Sequence, residues 1–263
     1  MSAATLLFER DGAIARITFN RPEAANTINL ALSKALVEAA IECDTNTDIR
    51  CVVLTGVGKM FCAGGDIGVM AAAGEKVGPR VGELASILHM AVSRFARMNK
   101  PLLTLVNGPA AGAGYGLAIG GDIVLAARSA TFTAAYGALG VSPDGGLTWL
   151  LPRLVGLRRA QEIIISNRRV DAEEAERIGI ITRAVDDDAL AEEGAKVANR
   201  LAQSAMGAIG TSRALLLGAF ANGIESQLEL EARGIAANIG SAEGREGVAA
   251  FMAKRKPDFS GAG

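Results

Sequence analysis

The chain has little of what most special chemistry is made from. Its 263 residues include one histidine, one tryptophan and three cysteines, and aromatic residues make up only 4%. So few aromatics, with 27 basic against 28 acidic residues, supply neither the stacking platform nor the positive surface that nucleic acid or an anionic membrane requires. Cys43, Cys51 and Cys62 are odd in number and lack Cys-x-x-Cys spacing, which speaks against a disulfide framework or a zinc site and fits a reducing compartment. No metal site is expected. No glycine run is followed by the Gly-Lys-Ser/Thr of a nucleotide loop. The start, "MSAATLLFERDG", reaches charge by Glu9, too early for a signal peptide or a spanning segment, and the final "FSGAG" is no peroxisomal address. A cytoplasmic protein is expected.

Half of the residues are hydrophobic, enough for one well-cored domain or a domain with an appended helical part. "TLLFERDGAIARITFN" alternates around Asp11-Gly12 and predicts a hairpin. "CVVLTG", "PLLTLVNG", "DIVLAA" and "ATFTAA" predict further short strands, while "LALSKALVEAAIEC" and "ELASILHMAVSRFARM" carry helical spacing. Between these, 69–83 is small and polar with internal glycines and reads as a mobile, lid-like loop. From about Gly156 the pattern becomes almost wholly helical. The fold class is therefore α/β, with a helical C-terminal part.

The run "VNGPAAGAGYGLAIGGDIVLAA" (106–127) contains six glycines and no acid before Asp122. A strand ends at Asn107-Gly108 and a helix begins near Gly112, its first turn made only of Gly and Ala. The first N–H groups of a helix have no partner within it, and bare residues leave them open to a ligand oxygen. "FCAGGDI" (61–67), after the strand "CVVLTG", makes a second such corner. Together the two corners suit an oxyanion hole, although close packing of elements also asks for small residues.

Five ordered motifs, "FNRPEAANTIN", "GVGKMFCAGGDI", "KPLLTLVNGPAAGAGYGLAIGGDIVLAA", "LGVSPDGGLTWLLPRLVG" and "REGVAAFMAKRKPDF", run through nearly the whole chain. In these the chain resembles the enoyl-CoA hydratase/isomerase (crotonase) family. The resemblance implies a spiral of ββα turns, expected over 1–195, followed by a helical trimerisation region over 196–263. It implies a homotrimer or a hexamer built as a dimer of trimers. The substrate it implies is an acyl-CoA thioester, with no cofactor beyond the coenzyme A of the substrate. Gly65 and Ala113 match the two oxyanion donors. Arg21, Ala24 and Ala25 match the segment along the CoA nucleotide, and Ala63, Gly64, Asp66 and Ile67 match its adenine-side edge. Phe251 and Lys254 match C-terminal positions that reach CoA. Read without the family, Arg21 and Lys254 are surface charges and Phe251 a core contact.

Hydratases of the family carry two glutamates, at positions occupied here by Gly116 and Tyr136. Without either carboxylate, water addition loses its general acid and its general base. Asp144, in "VSPDGG", matches an aspartate that isomerases of the family use as base, and "PDGGLTWLLPRLVG" is similar to the ring-1,2-epoxyphenylacetyl-CoA isomerase and Δ3,Δ2-enoyl-CoA isomerase branch. An ordinary aspartate is a weak base, but an apolar pocket of Ala135, Tyr136, Leu139 and Val141 would raise its pKa by desolvation. Asp144 also stands where it could cap the helix begun by "GGLTWLL". His89, the lone histidine, reads as a partly buried helix residue. In the 4-chlorobenzoyl-CoA dehalogenase branch, however, a histidine at this place works with a nucleophilic aspartate at position 144. The leading reading is a one-base isomerase; the alternatives are a hydrolytic or dehalogenating enzyme using Asp144 and His89, an enoyl-CoA hydratase, and a non-enzymatic RNA-binding or scaffold protein.

Overall fold

The structure, a computed structural model, describes residues 4–260; both chain ends considered above reach beyond these residues. The hairpin forms as β1 (Leu6–Asp11) and β2 (Ile14–Phe19), antiparallel with Asp11 opposite Ile14. From β2 onward the main sheet is parallel: β3 (Cys51–Gly56), β4 (Leu102–Val106), β6 (Ile123–Ala127) and β9 (Arg183–Val185) follow in that spatial order. A three-stranded sheet of β5 (Ala110–Ala111), β7 (Thr131–Thr133) and β8 (Arg169–Asp171) stands beside it.

Alternation along the central strands sorts the core into two faces. Cys51, Val53, Leu103, Leu105 and Leu125 form one cluster with Leu190 and Val197. Val52, Leu54, Leu102, Val106 and Val124 belong to the larger cluster, with Leu36 and Phe95. Strands buried on both faces need continuous apolar runs, which "CVVLTG" and "PLLTLV" provide.

The helices follow the same logic. Asn29 caps α1 (Leu30–Thr45) by accepting the Leu32 N–H. At its other end, Lys100 Nζ donates to the carbonyls of Cys43 (2.6 Å), Asp44 (3.1 Å) and Asn46 (2.6 Å), placing a cation at the negative end of the helix dipole. After β3 come α2 (Ile67–Ala72) and α3 (Val77–Arg97). The short α4 (Ala113–Ala118) follows β5, and α5 (Leu147–Val155), α6 (Leu157–Ile165) and α7 (Ala172–Arg177) lie between β7 and β9.

Beyond β9, α8 (Leu190–Ala202) packs on the main sheet, and α9 (Met206–Gly218), α10 (Ile224–Gly240) and α11 (Ala242–Met252) complete the chain. Arg213 on α9 pairs with Asp122 at 2.8 Å and donates to the carbonyls of Phe95 and Met98 at the end of α3. Glu243 on α11 accepts the N–H groups of Met206 and Gly207, both at 2.8 Å, at the start of α9.

Three expectations change. Residues 69–83 are mostly helical rather than a loop, because Gly78 and Gly82 lie on an open face where nothing crowds them and Pro79 falls in the first turn of α3. The region after Gly156 also contains β8 and β9. Position 195 falls inside α8, whose Leu190 and Val197 belong to the core, so the helical region proper begins at α9.

Candidate active site

Two backbone corners meet at the ends of parallel strands. The first, after β3, runs through Cys62–Asp66; the second, after β4, runs through Ala110–Ala113. Cys62 bridges Ala110, and the Ala111 N–H donates to Cys62 O at 2.9 Å. Gly64 is left-handed at φ +89°, and a Cβ there would lie 2.8 Å from the Ala111 carbonyl oxygen, so only glycine lets the corners close. Among the described residues, neither the Gly65 N–H nor the Ala113 N–H has a hydrogen-bond partner. These are the two amides that the family resemblance matches to oxyanion donors.

Arg21 and Asp66 brace this corner. The Arg21 guanidinium donates to Asp66 Oδ2 at 2.9 Å and to the backbone carbonyl of Thr27, and Asp66 accepts the Val69 N–H at 3.3 Å as the cap of α2. Burial alone would raise the Asp66 carboxyl; Arg21, the Val69 N–H and the Thr27 hydroxyl outweigh it and hold the group below the ordinary carboxylate range. Arg21 and Asp66, expected as separate CoA contacts, are thus bonded to each other. Ala24 belongs to a short 3₁₀ turn, and Ala25, at φ 52°, accepts the Ala63 N–H at 3.1 Å. Ile67 is exposed. Phe251, 82% exposed, and Lys254 lie at the end of α11, outside the cavity described next.

A cavity of about 770 Å³ opens beside α4, lined by His89, Gly116, Asp144, Trp149, Leu150 and, from α9, Ala214 and Leu217, among others. Among the described residues, Asp144 is the one carboxylate that lines it. The loop bearing Asp144 lies against α4: a Cβ on Gly145 would be 3.3 Å from Ala113 Cα, and one on Gly116 only 2.4 Å from Gly145 O. Tyr136, 8% exposed, donates its hydroxyl to Asp144 Oδ1 at 2.7 Å. Burial first, then the Asp144 charge and this hydrogen bond, push the tyrosine well above its ordinary pKa, so it stays a donor. His89 Nε2 accepts the Gly145 N–H at 3.0 Å and lies 3.7 Å from Asp144 Oδ2.

Two expectations about this loop fail. Leu139 is 54% exposed and Val141 is exposed as well, both outside the cavity, so they do not enclose Asp144, whose side chain keeps 32% exposure. Asp144 does not cap α5 through its side chain either; Gly146 holds the cap position. Cys62 is fully buried, its thiol pushed up to about 12 by burial, and behaves as a small core residue.

Sequence reasoning missed the wall supplied by α9. Ala214 and Leu217 lie some 70 residues beyond Asp144 and carry no chemical mark of their own. Ser93 and Arg97, one and two turns after His89 on α3, also line the cavity and were within reach of the helical period. Among the described residues no group of His, Cys, Asp and Glu could hold a metal ion, and no helix is long and apolar enough to cross a membrane.

Residues 9–262 match the enoyl-CoA hydratase/isomerase family. The chain is 40% identical to the 1,2-epoxyphenylacetyl-CoA isomerase of Escherichia coli K12, over 93% of this chain and 94% of that protein. It is 38% identical to a probable enoyl-CoA hydratase of Rhodobacter capsulatus, over 99% and 100% of the two chains. Crystal structures of enoyl-CoA hydratases from Polaromonas sp. JS666 (TM-score 0.92, 30% identity, 96% and 98% covered) and Bacillus anthracis (TM-score 0.92, 28% identity, 98% and 99% covered) share its crotonase fold.

Proposed function

The chain belongs to the enoyl-CoA hydratase/isomerase family, and from that premise we propose that it is an acyl-CoA isomerase with Asp144 as its single base. The observation that carries this reading is the pairing of one carboxylate with a filled second place. Asp144 is the only acid lining the cavity, and the position at which a hydratase would hold its first glutamate, Gly116, is pressed against the Gly145 backbone. The 40% identity to a protein named as an isomerase supports the same choice over hydration.

In the reaction, Asp144 takes a proton from C2 of a 3-enoyl thioester. The electron pair left behind spreads over the thioester oxygen and C4. The Gly65 and Ala113 N–H groups receive the charge on oxygen, each stabilising it by about 3–4 kcal/mol judged from the removal of comparable donors. Asp144 then returns the proton at C4, giving the conjugated 2-enoyl thioester. Nothing is oxidised or reduced, and coenzyme A arrives as part of the substrate. Tyr136 holds Oδ1, which leaves Oδ2 as the oxygen that carries the proton.

Copies are proposed to assemble as the trimer or hexamer that the resemblance implies. Leu216 of α9, Phe220 in the following turn, and Ile224, Ile235 and Ile239 of α10 make a large exposed apolar surface, which supports this. The three free, buried thiols fit a reducing, cytoplasmic setting.

The test is to give the protein a 3-enoyl-CoA and follow the conjugated thioester by ultraviolet absorbance, beside Asp144→Asn. Conversion that disappears in the variant is the expected result. A variant that converts as fast as the parent would remove Asp144 from the mechanism, and hydration of a 2-enoyl-CoA without isomerisation would overturn the class.

A further inference from the structure

We infer that His89 is a positioning residue, acting through an unprotonated Nε2 that holds the Asp144 loop against α4. The inference rests on the reading of Asp144 as base and assigns to His89 a role that neither that reading nor the dehalogenase comparison contains.

The argument begins with a conflict between two neighbours of one nitrogen. Nε2 lies 3.0 Å from the Gly145 nitrogen, in hydrogen-bond geometry, and 3.7 Å from Asp144 Oδ2. A backbone amide can only donate, so Nε2 must present its lone pair, and the ring proton then sits on Nδ1. An imidazolium, or the opposite tautomer, could pair with Asp144 but would set an N–H against the Gly145 N–H. The shorter and better directed contact decides: the ring is neutral and Nε2 is an acceptor.

What this bond fixes follows from the packing. Gly145 and Gly146 both have positive φ, +61° and +82°, in a turn without a side-chain cap. Such a turn has wide conformational freedom unless its amides are held. The Gly145 amide is held by His89 from α3, the Gly145 backbone rests on Ala113 and Gly116 of α4, and Tyr136 grips Asp144 Oδ1. The base is therefore clamped on three sides. Because His89 spends its lone pair on the amide, it neither protonates Oδ2 nor activates a water through Nε2. This opposes a dehalogenase-like role and leaves Oδ2 free to carry substrate protons.

The experiment uses the fact that His89 is the only histidine of the chain. Protein labelled with ¹⁵N-histidine gives the nitrogen spectrum of this one ring, without assignment. The expected signature is a neutral ring with Nδ1 protonated and Nε2 unprotonated at neutral pH. A ring protonated at Nε2, alone or on both nitrogens, would overturn the inference whatever the enzyme catalyses.

Two substitutions add a kinetic readout. His89→Leu keeps bulk and loses the acceptor; His89→Gln returns an acceptor oxygen near the place of Nε2. In the 3-enoyl-CoA assay, His89→Leu is expected to lower kcat about tenfold with KM nearly unchanged, and His89→Gln to recover most of it. If His89→Gln is as slow as His89→Leu while both melt like the parent, the acceptor role is wrong. Failure of the base reading has a different mark, an Asp144→Asn variant that turns over normally, and leaves the nitrogen spectrum as it is.

Discussion

Gly116 and the carbonyl of Gly145 are in contact so close that a single added carbon on Gly116 would come within 2.4 Å of the Gly145 oxygen. The missing glutamate and the presence of Asp144 are thus one feature. The loop that brings Asp144 forward occupies the space that a side chain at 116 would need. Gly116→Ala is expected to lower isomerisation by displacing that loop and to destabilise the fold by about 1–3 kcal/mol, the usual cost of overpacking. For a chain of this size that corresponds to a melting temperature lower by roughly 2–12 °C. Gly116→Glu is expected to bring no hydratase activity. A Gly116→Glu variant that hydrates a 2-enoyl-CoA efficiently would show that the loop yields easily.

Tyr136→Phe removes the hydroxyl that holds Asp144 Oδ1 at 2.7 Å and nothing else. Hydrogen bonds to charged groups contribute about 1.5–3 kcal/mol, so a loss of about tenfold or more in kcat is expected, with thioester binding preserved. Equal rates for the variant and its parent would make the tyrosine a packing residue.

The Arg21–Asp66 pair predicts an acid-sensitive corner. The folded Asp66 carboxyl lies below its ordinary value, so its stabilising contribution is complete above the unfolded pKa of about 3.9 and fades as pH falls through the lower, folded value. Melting temperatures of the parent and of Asp66→Asn, measured from pH 7 down to pH 3, should differ most at neutral pH and converge in acid. A gap that is constant with pH would mean that the charge on Asp66 contributes nothing.

Arg213 ties α9, one wall of the cavity, to Asp122 and to the last carbonyls of α3. Arg213→Met takes the cation from Asp122, which keeps the Leu102 N–H, and removes the donor that the two carbonyls share in a largely buried place. Breaking such a pair from one side costs about 3–5 kcal/mol, and the partial exposure of Asp122 favours the lower end. Arg213→Lys should recover little, since one ammonium cannot reproduce the planar fork that meets three partners. Denaturant titration of the three proteins checks this, and a lysine variant as stable as the parent would refute it.

Much of this architecture was legible in the chain because it rests on period and on residue size. The alternation in "CVVLTG" and "PLLTLV" assigns each side chain to one of two core faces, and the glycines of "CAGGD" and "GAG" mark the corners where backbones touch. Asp144 was singled out through the family resemblance, in which its position matches an aspartate used as base while positions 116 and 136 lack the glutamates of hydratases. Other features carried no local signal. Strands β8 and β9 are three residues each, and β9 begins at an arginine, so neither has room to establish a period. Leu139 and Val141 sit around a tight turn in which the inward and outward sides cannot be told apart by hydrophobicity. The wall from α9 depends on a fold-back that only Arg213 and its distant partners reveal.

The two unpartnered amides at Gly65 and Ala113 belong to the main chain. No exchange of side chain deletes an N–H, except to proline, but exchanges at the glycines that let the corners close, such as Gly64, would move the backbone that aims these amides. In the proposed mechanism the proton-moving half depends on a single side chain, Asp144, which one substitution removes. On that mechanism, choice of reaction and stabilisation of the oxyanion are carried by separable parts, a side chain and a backbone frame, which makes the frame a natural starting point for laboratory evolution of new acyl chemistry.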